Sequence, residues 1–241
     1  DKGTRDLALY PGEKFTQGLD GLRERLAEYV ELGATFTKWR TVYTITKDLP
    51  SDYGYQTNAA SLAQYAALSQ EAGLVPIVEP EVLMDGSHTI DRCEEVTTEA
   101  LEAVFAELYA AGVKFEGMLL KPNMILAGKD SPQQASVQEV AEATIRVLMR
   151  TVPPAVPGIV FLSGGQTPAQ ATENLSAMNA IGGFPWQLSF SYGRALQAPA
   201  LALWGEDTEK NVSAAQQVLV HRARMNSLAT KGRYAASLEQ N

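Results

Sequence analysis

The sequence predicts a parallel α/β fold, and three observations carry the prediction. Helical and strand periodicities alternate from about residue 17 to about residue 230, as repeated βα units do. Two strand segments, 115–120 and 158–162, carry apolar side chains on both faces, Glu116 apart, as strands buried in a parallel sheet do. Polar residues collect where several strand segments end, which is the end that carries chemistry in such folds.

Residues 17–33 read as a helix, with Leu22, Leu26, Tyr29 and Val30 at helical spacing, and Gly33 closes it. Residues 34–43 read as a strand with Lys38 and Arg40 on one face. The polar stretch 44–56, with Pro50 and Gly54, reads as a long loop. A second helix is expected over 57–72, its inner face formed by Ala59, Leu62, Tyr65 and Ala66. The strand at 74–81 puts Glu79 and Glu81 on a shared face. The third helix, about 94–111, turns Leu101, Val104, Phe105 and Leu108 inward and leads to a strand at 115–121. Ser136 and Glu139 form a capping box. It opens a helix with Val140, Thr144, Ile145 and Leu148 inward, which Pro153 and Pro154 end. An apolar strand at 158–163 precedes Thr167 and Pro168, an N-cap and a first-turn proline. The last strand is expected at 187–192, followed by helix through Trp204 and again over 208–230.

Composition narrows the class. The chain has 241 residues, enough for one α/β barrel or two smaller domains, and no linker composition divides it. It reads as one domain, 1–241. The single cysteine, Cys93, excludes an internal disulfide framework and fits a reducing compartment such as the cytoplasm. With His88 and His221 as the two histidines, a conventional His/Cys zinc site is not expected. No apolar run approaches the roughly 20 residues of a membrane span. A net charge of −8 argues against nucleic-acid binding. The sequence opens on Asp1-Lys2-Gly3, so a targeting segment, including a plastid one, would lie outside it.

Lys121 is the residue around which the candidates gather. Along 115–121, Phe115, Gly117, Leu119 and Lys121 should point one way and Met118 and Leu120 the other. Pro122 then stops the ladder. A lysine at the end of a buried strand is desolvated, which favours the free amine. That amine can attack a ketone and form a Schiff base. Taken alone, the stretch also fits a lysine that merely solvates a strand end.

The neighbouring strand ends favour chemistry. Lys38 and Arg40, Glu79 and Glu81, and Ser191 with Arg194 all fall at strand ends. Structural ion pairs would explain scattered charges but not this concentration. Glu79 could act as the general acid that dehydrates a carbinolamine, with Glu81 as a like-charged neighbour favouring its protonated form. Lys38 would favour the free amine of Lys121 and orient substrate hydroxyls. Ser163-Gly164-Gly165 runs into a helix N-terminus, which can hold a phosphate. Gly193 and Arg194 could supply the other half of that site.

Six motifs then acquire a common meaning. They are Gln17-Gly18-Leu19-Asp20-Gly21-Leu22, Lys38-Trp39-Arg40, Val75-Pro76-Ile77-Val78-Glu79-Pro80-Glu81, Leu119-Leu120-Lys121-Pro122-Asn123-Met124, Phe161-Leu162-Ser163-Gly164-Gly165-Gln166 and Ser191-Tyr192-Gly193-Arg194-Ala195-Leu196. In this order they resemble class I fructose-1,6-bisphosphate aldolase, in register from Asp1 to about Tyr234.

The resemblance implies a (β/α)8 TIM barrel that reversibly cleaves fructose 1,6-bisphosphate to dihydroxyacetone phosphate and glyceraldehyde 3-phosphate. It implies a metal-independent, cofactor-free lyase, cytoplasmic and homotetrameric, whose partner is a sugar phosphate. Lys121 is then the Schiff-base lysine, Glu79 the general acid/base and Lys38 the second active-site lysine. Arg40 and Glu81 are its neighbours, Glu81 positioning the cations. Ser163, Gly164, Ser191, Gly193 and Arg194 are the expected phosphate contacts.

Two features of the resemblance find no counterpart in this sequence. One is an early-strand aspartate that takes the C4 hydroxyl proton. The other is a tail ending in tyrosine, where this sequence ends Ser237-Leu238-Glu239-Gln240-Asn241. Five strands are expected here, and Asp1-Lys2-Gly3 would end one more. A closed barrel of eight would thus need its first two strands and most of the third, on the order of 75 residues or more, ahead of Asp1. The alternative function is a non-catalytic fragment or moonlighting form that binds sugar phosphates or a protein partner.

Overall fold

The computed structural model describes residues 2–240. Two short strands, β1 (Thr4–Asp6) and β2 (Lys14–Thr16), pair antiparallel. Helix α1 (Leu22–Glu31) follows, and then strand alternates with helix: β3 (Phe36–Tyr43), α2 (Asp52–Glu71), β4 (Val75–Val82), α3 (Ile90–Ala110), β5 (Leu119–Leu120), α4 (Val137–Thr151), β6 (Gly158–Phe161), α5 (Pro168–Ile181) and β7 (Gln187–Phe190). Helices α6 (Arg194–Glu206) and α7 (Val212–Ala229) and a 3₁₀ turn (Ala236–Gln240) complete the described residues. Strands β3 to β7 form one parallel sheet in chain order. This is the arc of a (β/α) barrel, not closed among the described residues. No helix among them is long and apolar enough to cross a membrane.

The sheet has two unlike faces. Val78, Leu120, Ile159, Phe161 and Leu188 are buried in a single apolar cluster with Ala59, Leu62, Ala66, Leu101, Val104, Leu108, Val140 and Leu148 of the helices. Each fully buried Val, Leu, Ile or Phe among them contributes about 1.5–3 kcal/mol. Because strand side chains alternate, the residues between them take the opposite face. That face carries Lys38, Arg40, Glu79, Glu81 and Lys121.

Four expectations change. The strand expected at 115–121 shrinks to Leu119–Leu120, and Phe115–Gly117 forms a 3₁₀ turn. Gln70 of α2 explains this. Its side-chain amide donates to the carbonyls of Lys114 and Gly117 at 2.8 and 3.3 Å and accepts the Lys114 N–H at 2.9 Å. Those backbone groups therefore need no strand partner. The loop expected over 44–56 ends early, because Ser51 caps α2 by accepting the Gly54 N–H at 3.0 Å. Gly54 is required there, since the buried Glu13 carboxylate occupies the space a Cβ would need. The first helix starts at Leu22, not residue 17, and its Val30 is exposed. Of the strand expected to end at 1–3, Asp1 lies outside the described residues, and Lys2 and Gly3 precede β1.

Candidate active site

Register brings the site together. In the β3–β4 ladder Lys38 lies beside Ile77, Arg40 beside Glu79 and Val42 beside Glu81. In the β4–β5 ladder Ile77 lies beside Leu119. Two residues further on, Lys121 comes level with Glu79, and its N–H donates to the Val78 carbonyl at 2.8 Å. Each cation of β3 reaches one step forward, to the carboxylate two residues past its own partner. Lys38 Nζ lies 2.8 Å from Glu79 Oε2, and Arg40 Nε donates to Glu81 Oε2 at 2.5 Å. Lys121 Nζ approaches the other Glu79 oxygen, Oε1, at 3.1 Å.

Glu79 is thus gripped from both sides. Its side chain is 4% exposed and that of Lys121 11%, while Lys38 is 42% exposed. One amine is buried with the carboxylate and the other opens to solvent. A carboxylate in hydrogen-bond reach of two amines can pass a proton to or from either side. The second pair is a separate device. Burial works against the charge on Arg40, but the Glu81 hydrogen bond and the field of Glu81 and Glu79 outweigh it, and the guanidinium is held more firmly protonated than usual. Glu81, expected to act on Glu79 by charge repulsion, is engaged with Arg40 instead.

Asn123 fixes the turn after Lys121. It is buried, accepts the Val82 N–H at 2.9 Å, and donates to Thr97 Oγ1 and to the Met124 carbonyl at 3.2 and 3.1 Å. It thereby ties β4, β5 and α3 at the level of the site. On the far face, Thr37 hydrogen bonds Tyr65 and Ser69 of α2 at 2.8 Å each, and Trp39 stacks on Tyr65. These contacts settle which face of β3 points inward and so where Lys38 and Arg40 point.

The loops after β6 and β7 form a second cluster. Gly164 and Gly165 have φ of +57° and +84°, a conformation that disfavours side chains. They turn the chain from buried Ser163 into α5, which Thr167 and Gln170 close with a reciprocal capping box. Gln166 donates from its backbone and its side chain to the Ser163 carbonyl, at 3.0 and 2.8 Å, and accepts from Asn174 at 2.7 Å. Beyond β7, the Ser191 N–H donates to the Phe161 carbonyl at 2.9 Å, which sets the two loops side by side. Gly193 precedes α6, and no side chain caps that helix. Leu196 and Gln197 already donate to the Gly193 carbonyl, so the N–H groups of Arg194 and Ala195, beside the exposed Arg194 side chain, are the ones that could receive an anion. Arg194 also acts on the loop after β4: the Asp85 carboxyl is held below the usual carboxylate range by Lys129 first and by Arg194 in addition.

Comparison with known proteins places the chain in a family. The family described as fructose-bisphosphate aldolase class-I matches residues 1–241. The chain belongs to the class-I fructose-bisphosphate aldolase family. A probable fructose-bisphosphate aldolase class 1 of Xanthomonas axonopodis pv. citri is 54% identical over 234 residues, 97% of this chain and 70% of that protein. The fructose-bisphosphate aldolase of Dictyostelium discoideum is 52% identical over 236 residues and is covered to 66% of its length. A Plasmodium falciparum fructose-bisphosphate aldolase, solved in complex with TRAP and a small-molecule inhibitor, superposes with a TM-score of 0.96. It is 50% identical, over 98% of this chain and 68% of that one.

Within this class-I aldolase fold, Lys38, Glu79 and Lys121 meet as one cluster, with Arg40 and Glu81 beside them. Ser163, Gly164, Ser191, Gly193 and Arg194 lie in the two adjacent loops after β6 and β7. Asn123 and Gln166 were missed as positioning residues. A signal existed for Asn123, an asparagine directly after the Lys121-Pro122 step, where turn residues are expected. None existed for Gln166, whose partner Asn174 lies on the next helix.

Proposed function

We propose that this face cleaves fructose 1,6-bisphosphate reversibly to dihydroxyacetone phosphate and glyceraldehyde 3-phosphate, with Lys121 as the covalent catalyst. The observation that carries the proposal is Glu79, buried between Lys121 at 3.1 Å and Lys38 at 2.8 Å. The Lys121 amine adds to the ketone carbon. Glu79 gives a proton to the resulting hydroxyl, which leaves as water, and the iminium remains on Lys121. Loss of the C4 hydroxyl proton to a base then breaks the C3–C4 bond. Its electron pair moves into the iminium to give an enamine, and the aldehyde departs. Protonation of the enamine and hydrolysis, with Glu79 now acting as base, release the second product and restore the amine.

Arg40 and Lys38 would hold substrate oxygens, with Glu81 orienting Arg40. The loops at Ser163-Gly164 and Ser191-Gly193-Arg194 would hold a phosphate group, the uncapped start of α6 donating to it. The family membership supports the sugar-phosphate partner, and the resemblance supports a cytoplasmic homotetramer. Sedimentation velocity on the full-length protein decides the last point, a single-chain mass being the result against it.

Borohydride reduction in the presence of dihydroxyacetone phosphate tests the covalent step. One adduct is expected, on the peptide containing Lys121. An adduct mapped to Lys38, or to any other lysine, would falsify the assignment.

A further inference from the structure

A buried polar cluster lies behind the phosphate loops, away from the lysines. Arg222 of α7 is 5% exposed. Its Nη2 donates to the carbonyl of Pro168, the first residue of α5, at 3.1 Å and to Thr172 Oγ1 at 2.6 Å. Its Nη1 donates to both carboxylate oxygens of Glu239 at 2.5 Å. Glu239 also accepts from the Tyr234 hydroxyl at 2.9 Å and lies 3.0 Å from His221 Nε2. Asn226, fully buried, bonds Thr172 Oγ1 at 2.8 Å and the Arg222 carbonyl at 3.0 Å. A second tie joins the same parts, since the Tyr234 N–H donates to Ser176 Oγ of α5 at 3.2 Å.

The arrangement spans more than stability requires. A buried guanidinium must be paired, but a single carboxylate on its own helix would pair it. Here Arg222 joins three elements, α7, the turn at 236–240 and the N-terminal turn of α5. That turn directly follows the Ser163–Gln166 loop, which Asn174 of α5 holds through Gln166. Displacing the start of α5 displaces Gly164. A shift near 1 Å in a binding group is enough to weaken its contacts.

We infer that Arg222 and Glu239 are positioning residues for phosphate: together they set the N-terminal turn of α5, and with it the Ser163-Gly164 loop, in the phosphate-binding position. The inference rests on the phosphate site proposed above. It predicts a loss that falls mainly on phosphorylated ligands, because Lys121 directly follows β5, between β4 and β6, and is held by its own N–H on Val78 and by the Asn123 turn, whereas the α5 side reaches this segment only at Met124, through Gln166.

The test compares dihydroxyacetone phosphate with dihydroxyacetone as ligands of the full-length protein. Binding of the first is read by titration, and trapping of both at Lys121 by borohydride and mass. E239A is expected to weaken dihydroxyacetone phosphate on the order of tenfold, leave dihydroxyacetone trapping within twofold, and raise KM for the bisphosphate more than it lowers kcat. E239Q, which keeps the hydrogen-bond acceptor, should recover part of the loss, and R222K serves where E239A does not fold. Arg194→Ala is the control. Selective loss in Arg194→Ala but none in the Glu239 and Arg222 variants overturns this inference alone. No selective loss in Arg194→Ala overturns the phosphate assignment and this inference with it. Equal loss for both ligands in E239Q and R222K shows general destabilisation and also overturns it.

Discussion

Glu79 stands almost wholly out of water, and a buried carboxylate is tolerable only while its partners remain. Lys121 and Lys38 supply them, one on each oxygen. Glu79→Gln keeps the shape and removes the proton shuttle, so kcat should fall by about 10²–10⁴-fold, with KM changed far less. Steady-state kinetics on the bisphosphate check this, and a kcat within tenfold of wild type would remove Glu79 from the acid–base role. The same cluster was legible in the sequence. Lys38 and Arg40 are two apart on one strand and Glu79 and Glu81 two apart on the next, so each pair shares a face whatever the register. Which cation meets which carboxylate was not legible. It depends on the one-step forward offset between β3 and β4, which a ladder fixes and a sequence does not print. The periodicity alone makes Glu81 a like-charged neighbour of Glu79; the ladder pairs it with Arg40, in keeping with the cation-positioning place that the resemblance implies for it.

Elements were legible where their ends are set locally. Ser136 with Glu139 caps α4 in the box the sequence indicates, and Thr167 with Pro168 opens α5 as expected, to which the structure adds a box with Gln170. Elements were misread where distant residues decide. Gln70 turns 115–117 out of the sheet from 44 or more residues away, and Glu13 holds the start of α2 through Ser51 from 38 away. The turn at 236–240 is likewise set from a distance, fastened by Arg222. Burial raises the Glu239 carboxyl, but hydrogen bonds from Arg222, His221 and Tyr234 overcome it and hold the group below its usual range. Glu173 also acts on the Tyr234 hydroxyl in this cluster. A depressed carboxyl stabilises the fold above its unfolded value, about 4.3, and that contribution disappears as pH falls through the folded value. The melting temperature of wild type should therefore exceed that of Glu239→Gln at about pH 6, and the gap should close below about pH 4. A gap that stays constant over this range would show that Glu239 carries no linked charge.

At the scale of the molecule, the sheet leaves β3 and β7 as outer strands with no ladder partner on their far sides among the described residues. β3 is the more exposed problem. It is eight residues long, its Phe36 is 59% exposed, and Lys38 and Arg40 on its inner face are nearly half open to solvent. The β1–β2 hairpin touches it through Thr16, which donates to the Arg40 carbonyl at 2.5 Å, but forms no ladder with it. Unpaired edges recruit other strands, and in (β/α) barrels they vanish only through closure. We propose that further strands join β3 to β7 in an eight-stranded barrel, which would enclose Lys38 and Arg40 and complete the wall opposite Lys121. The near-superposition on about two thirds of the Plasmodium falciparum aldolase supports this reading. Residues 1–241 produced alone should then self-associate through the β3 edge and fail to cleave fructose 1,6-bisphosphate. Size-exclusion chromatography with light scattering, run beside an assay of that same preparation, decides between the two states. A monodisperse protein of 26.1 kDa per chain with full cleavage activity would show that the five-stranded arc needs no closure to work.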